Sequence, residues 1–155
     1  MTLKLQEEIR QSKPFRCVEE EAYLSIVRTA AMLEHSLAQA LKPFEITPTQ
    51  YNVLSILRGA GDEGLCRNEV GGRLVTAMPD VTRLLDRMED MGLIVRQRST
   101  VDRRVVSTRL TKKGLELVGR VDAKVVEIHG RQFRGVDKRS LKTLVGILGD
   151  IRERA

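Results

Sequence analysis

The sequence predicts a mainly α-helical chain interrupted by one small β-hairpin. Three observations predict this class. Apolar residues recur at three- and four-residue steps through most of the chain, which is the period of an amphipathic helix. Thr, Asp, Pro and Gly stand at the ends of those stretches, where helices start and stop. Between Leu93 and Leu110 the composition changes to β-branched residues on either side of a polar tip, as expected of two paired strands.

The elements follow in order. In CVEEEAYLSIVRTAAMLEHSLAQALK, Val18, Ala22, Ile26, Ala30, Leu33, Leu37 and Leu41 share one stripe and acids crowd the first turns, which predicts a long helix. ITPTQYNVLSILRG supplies Thr47 as N-cap, Pro48 at the first helical position and Gln50 three residues after the cap, before an apolar run that stops at Gly59. GAGDEG reads as a loop, and LCRNEVGGRL as a short helix weakened by Gly71 and Gly72. In TAMPDVTRLLDRMEDMG, Thr76 is the expected cap, Pro79 is tolerated in the first turn and Gly92 ends the helix. Val81, Leu84, Leu85 and Met88 form its buried stripe, leaving Asp80, Arg83, Arg87 and Asp90 for solvent or a partner.

LIVRQR and RVVSTRL flank STVD as a hairpin, a ribbon that is marginal alone and has to lean on the helices. After Thr111, a capping residue, Leu115, Val118, Val121, Val125 and Ile128 mark another helix. Asp137 precedes a last one with Leu141, Leu144, Val145, Leu148 and Ile151 on one stripe. The expected order is four helices, the hairpin and two helices.

With 155 residues, 41% of them hydrophobic, the chain suits one compact domain or two small lobes sharing a core. No apolar run approaches the roughly 18 residues that span a bilayer, and MTLKLQEEIRQSK lacks the apolar region of a secretory signal. A soluble, cytoplasmic protein with no membrane association is expected. Cys17 and Cys66 are too few for a disulfide framework and lack metal-knuckle spacing, so no metal or cofactor is expected.

The net charge of +6 is concentrated. From Arg73 to Lys113 there are ten Lys or Arg against five acids, so about a quarter of the chain holds nearly all the excess. A surface that meets a polyanion has this footprint, and so does a solvated face that keeps a protein soluble. Two short helices followed by a hairpin, the second helix basic, describe a winged helix-turn-helix, in which that helix enters the major groove of DNA.

At this point a family becomes recognisable. ITPTQYNVLSIL, VTRLLDRMEDMGLIVRQ, DRRVVSTRLTKKG and the long terminal helices resemble the MarR family of bacterial transcription regulators, from about Phe15 onward. The resemblance implies a winged helix-turn-helix DNA-binding lobe over residues 43–110 and a helical dimerisation lobe built from 15–42 and 111–154. It further implies a homodimer on a pseudo-palindromic double-stranded DNA site, with half-sites about one helical turn apart. Repression of transcription is the family expectation.

On this resemblance the hairpin is a wing. Its tip holds Asp102, Arg103 and Arg104, with Arg104 assigned to the minor groove, Arg103 to phosphate, and Asp102 to stiffening the turn through a charge-assisted pair with one arginine. The two arginines can exchange roles. At the N-terminal end of the recognition helix the candidates are Ala77, Met78, Pro79, Asp80, Thr82 and Arg83. Arg83 can pair with guanine or clamp a phosphate, whereas Met78 and Pro79 can make only apolar contacts, for instance to a thymine methyl. The alternative pairs Arg83 and Arg87 with Asp80 and Asp90 at helical spacing.

Family resemblance also implies release by a small phenolic or anionic effector, bound between the lobes, or by oxidation of a thiol. Tyr23, Arg28, His35 and Tyr51 are the polar candidates near that junction, each with a purely structural alternative. Cys17 at the start of the first long helix is the candidate redox thiol, although Glu19, Glu20 and Glu21 oppose thiolate formation. Cys66 reads as structural.

Other function classes fit poorly. No catalytic residues are assigned: His35 and His129 lie on separate helices, and no nucleophile elbow or phosphate-cradling loop occurs. A single-stranded RNA binder needs stacking platforms, yet aromatic residues make up 3% of the chain and none lies in the basic segment. The remaining alternatives are an oxidative-stress sensor of the same fold and a winged-helix protein-interaction module.

Overall fold

The computed structural model describes residues 4–155. A one-turn helix α1 (Leu5–Glu8) precedes α2 (Val18–Leu41), α3 (Pro48–Ala60), α4 (Arg67–Arg73) and α5 (Val81–Asp90). The strands β1 (Ile94–Arg98) and β2 (Val106–Leu110) follow, and α6 (Lys112–Gln132) and α7 (Lys138–Arg154) complete the order. The chain is therefore mainly helical with one antiparallel hairpin, in register Ile94 to Leu110 through Arg98 to Val106. Helix α1 and two short 3-10 turns, Lys42–Phe44 and Gly61–Glu63, add to the six helices read from the sequence.

Caps decide most of the helix starts. Thr47 Oγ1 accepts the Gln50 backbone N–H at 3.2 Å while Gln50 Oε1 accepts the Thr47 N–H at 2.9 Å, a reciprocal box. Thr111 caps α6 through the Gly114 N–H at 3.1 Å, and Asp137 caps α7 through the N–H groups of Arg139 and Ser140. Helix α5 corrects the sequence reading. Its cap is Asp80, whose Oδ1 accepts the Arg83 N–H at 2.9 Å, so Thr76 and Pro79 lie in the connection ahead of the helix. Between two candidate caps, the one that leaves proline outside avoids its ring altogether.

A single core joins the elements. Leu41 from α2, Val53, Leu54 and Leu57 from α3, Val70 from α4, Leu84, Leu85 and Met88 from α5, Ile94 from β1, and Leu117, Val118, Val121 and Val125 from α6 are buried together. Val81 is half-buried at the margin. In α6 the buried face includes Leu117, and Leu115 is 52% exposed, a correction to the expected stripe. The apolar residues of α7 find little cover within the chain: none is buried, Leu141 and Leu148 are half-buried, and Leu144 and Val145 are 43% and 65% exposed. Val18, Ile26 and Met32 of α2 are likewise exposed. Among the described residues no helix is long and apolar enough to cross a membrane.

Candidate nucleic-acid interface

The exposed face of α5 and the tip of the hairpin form the candidate interface. On α5, Leu84, Leu85 and Met88 point into the core, so Thr82, Arg83, Asp86 and Arg87 are turned outward. The arginines are not paired with Asp80 and Asp90, since no carboxylate lies within ion-pair distance of Arg83 or Arg87 among the described residues. Asp80 instead spends an oxygen on the Arg83 backbone. Ahead of the helix, Asn52 Oδ1 accepts the Val75 N–H at 2.9 Å and pins the connection that carries Ala77, Met78 and Pro79. Met78 is half-buried there, and Pro79 is exposed.

The hairpin tip is organised by short-range hydrogen bonds. Ser99 Oγ accepts the N–H groups of Val101 and Asp102 at 3.2 and 3.3 Å, and Asp102 Oδ1 accepts the Arg104 N–H at 3.0 Å. Asp102 thus stiffens the turn as expected, but through the Arg104 backbone and not through a guanidinium. A backbone donor two residues away is nearer than any long side chain can hold its head. Arg103 and Arg104 stay exposed with no hydrogen-bond or ion-pair partner for their side chains among the described residues.

Two sets of contacts hold this hairpin against the helices. Arg96 on β1 reaches α5, with Nη2 2.6 Å from both Asp86 Oδ1 and Glu89 Oε2, and its backbone N–H donates to Glu89 Oε1 at 3.1 Å. The guanidinium holds the Glu89 carboxyl below the ordinary range, and Glu89 followed by Asp86 raises Arg96. On the other edge, Leu65 pairs with Thr108 as an isolated bridge, and Ser107 Oγ donates to the Glu63 carbonyl at 2.7 Å. Gly64 permits this approach. Its φ is +68°, and a Cβ there would stand 2.5 Å from the Thr108 carbonyl oxygen.

The sequence candidates outside this face are dispersed. Tyr51 Oη donates to Asp122 Oδ1 at 2.8 Å, and Arg58 Nη1 lies 2.5 Å from Asp122 Oδ2, so Tyr51 belongs to a clasp between α3 and α6. Arg58 first, then Tyr51, hold the Asp122 carboxyl below its ordinary range; burial first, then Asp122, push the Tyr51 phenol up. Arg28 pairs with Glu8 of α1 at 3.5 Å. Tyr23 is 65% exposed, and His35 lines a groove with Gln39, Lys124 and Gln132 whose walls include none of the other three. Cys17 precedes α2, exposed, and its thiol is one of the groups that hold the Glu19 carboxyl low, after the Glu19 backbone N–H. No group of three or more His, Cys, Asp or Glu that could hold a metal occurs among the described residues.

Sequence reasoning missed Arg67 and Arg96. Arg67 Nη1 donates to Thr82 Oγ1 of α5 at 3.1 Å. In both cases the partner comes from another element, and the signal available in the sequence was only an arginine beside an apolar stripe.

A capped helix whose outward face carries Arg83 and Arg87, preceded by a shorter helix and followed by a braced hairpin, defines a winged helix-turn-helix protein. The MarR family model matches residues 46–106, which span α3, α4, α5 and β1 and reach the start of β2. The chain is 31% identical over 119 residues to the uncharacterized HTH-type transcriptional regulator YkoM of Bacillus subtilis, covering 74% of this chain and 73% of that protein. It is 33% identical over 73 residues to the HTH-type transcriptional regulator MhqR of the same organism, 47% of this chain and about half (49%) of the length of MhqR. Among solved structures, the transcriptional repressor CouR bound to a 23-mer DNA duplex superposes with a TM-score of 0.76 at 25% identity, over 98% of this chain and 99% of that one. The chain belongs to the MarR family and is a transcriptional regulator, not an enzyme.

Proposed function

We propose that this chain represses transcription by binding, as a homodimer, a pseudo-palindromic duplex DNA site. The observation that carries the reading is the division of labour among its arginines. Arg96, half-buried between α5 and β1, is neutralised by Asp86 and Glu89. Arg83, Arg87, Arg103 and Arg104 are exposed on α5 and the hairpin tip, with no carboxylate within ion-pair distance of their guanidinium groups among the described residues. Unneutralised guanidinium groups on a helix and an adjoining hairpin suit a phosphate-lined groove pair, the helix in the major groove and the tip in the minor groove. CouR, seated on a DNA duplex, has this fold.

In this reading Arg83 and Thr82 face base edges, with Met78, Pro79 and Asp80 at the margin, Arg104 enters the minor groove, and Arg103 meets phosphate. Residues 43–110 carry DNA contact, and 15–42 with 111–154 carry the dimer contact. The uncovered apolar faces of α2 and α7 support that assignment. A small phenolic or anionic effector releases the DNA. With Tyr51 and Arg28 engaged in the chain's own contacts, Tyr23 and His35 are the candidates left for it.

Selection of duplex DNA from a random pool by the purified protein, followed by a salt titration on the winner, tests the reading. A palindromic winner with a steep negative slope of log K against log salt is expected. Absence of enrichment from a folded, dimeric preparation, with or without candidate effectors, would favour a protein-interaction module.

A further inference from the structure

We propose that Arg67 of α4 binds the DNA backbone, seating a phosphate between the recognition helix and the wing. The proposal rests on the DNA reading above and adds a residue and a ligand atom to it. Arg67 is exposed, and its hydrogen bonds all go to neutral oxygens: Thr82 Oγ1 at 3.1 Å, and Asn68 Oδ1 at 3.3 and 3.4 Å. No carboxylate lies within ion-pair distance among the described residues. Three other arginines that bridge elements differ in this respect, whereas Arg109 of β2, which donates to the Asp62 carbonyl and to Gln97 Oε1, likewise has no carboxylate. Arg58 is matched by Asp122, Arg96 by Asp86 and Glu89, and Arg28 by Glu8.

The surroundings of Arg67 make the missing charge more telling. One groove is lined by Arg67, Asn68, Thr82, Arg96, Arg104 and Val106, so it runs from α4 past the recognition helix to the wing. Arg96 enters it already neutralised, whereas Arg67 and Arg104 bring two unneutralised guanidinium groups to its lining. Like charges gathered at one groove repel, and among the described residues no carboxylate lies within ion-pair distance of either. A backbone phosphate beside Arg67 relieves that repulsion, and a guanidinium fork matches phosphate oxygens two at a time. A second groove places Arg67 beside Pro79, Asp80 and Thr82, so the same side chain lies next to the start of the recognition helix. The bond to Thr82 aims Arg67 along that helix and leaves its charge available.

The alternative is that Arg67 only braces Thr82. Arg67→Gln separates the two, since an amide can still donate to Thr82 but carries no charge. On the selected duplex, Arg67→Gln is expected to reduce the magnitude of the salt slope by about one per bound protomer. Affinity at about 0.15 M salt is expected to fall by about 3- to 10-fold, equally on the best site and on its single-base variants, because phosphate contacts carry no sequence information. Arg67→Lys is expected to keep the slope. An unchanged slope in Arg67→Gln, or a loss confined to particular base variants, overturns the phosphate seat. If the wild-type protein enriches no duplex, the DNA reading fails first and takes this one with it.

Discussion

Arg104 projects from a turn whose backbone is held by Ser99 and Asp102, so removing its side chain leaves the turn's hydrogen bonds in place. Arg104→Ala is therefore expected to weaken operator binding by about 1 to 3 kcal/mol while the dimer persists. Titration of labelled duplex beside sedimentation of the same variant checks this, and unchanged affinity would remove the wing from the interface. At Gly114 the backbone of α6 comes so close to β1's entry that a Cβ would stand 2.1 Å from the Leu93 carbonyl oxygen. Gly114→Ala is expected to cost about 1 to 3 kcal/mol in urea unfolding, through forced displacement of a packed pair. Single-residue legibility followed sequence distance. The charge of Arg103 and Arg104 on a turn is plain from DRR, because turns expose their tips. Arg67 and Arg96 depend on where α5 lies relative to α4 and β1, and composition does not encode that.

Among the elements, α3 has the most explicit start. Thr47→Ala removes one half of a reciprocal cap, and a loss of about 1 kcal/mol is expected, lowering the melting temperature by roughly 2 to 4 °C. The link between α3 and α6 responds to acid. Arg58 and Tyr51 hold Asp122 below its ordinary value in the folded chain. A depressed folded value contributes stability above the unfolded value of about 3.9, and that contribution is lost as pH falls through the folded value. Asp122→Asn is thus expected to unfold more readily than the wild type near neutral pH, with the difference shrinking below about pH 4; a difference independent of pH would show that the charge of Asp122 is immaterial. The six long-period helices, their order and the caps of α3, α6 and α7 were readable because 3.6-residue periodicity and capping chemistry are local, whereas the one-turn α1 is too short to show a period. The start of α5 differs from the sequence reading since Thr76 and Asp80 both offer a capping oxygen, and Asp80 is the one that leaves Pro79 outside the helix. The Leu65 to Thr108 bridge was invisible for a related reason: one paired residue leaves no period.

For the whole molecule, apolar faces remain uncovered on two long helices. Leu144, Val145 and Ile151 of α7, with Val18, Ile26 and Met32 of α2, are exposed in the single chain, although a chain of this length has enough interior to hide such a stripe. Under the dimer reading, a charge placed in that stripe, Val145→Glu, is expected to leave the protein monomeric in sedimentation equilibrium and to weaken DNA binding without touching a residue proposed to face DNA. Retention of the dimer would move the contact elsewhere on the surface. The core that unites α3, α4, α5, β1 and α6 lies on the other side of the ledger, complete within one chain. Helix α7 then has a consequence for folding itself. Seventeen residues with none fully buried at home make a helix of marginal persistence in water. Its cohesion is borrowed from a neighbour under the dimer reading, so dilution acts as a denaturant, and the midpoint of thermal melting climbs with protein concentration.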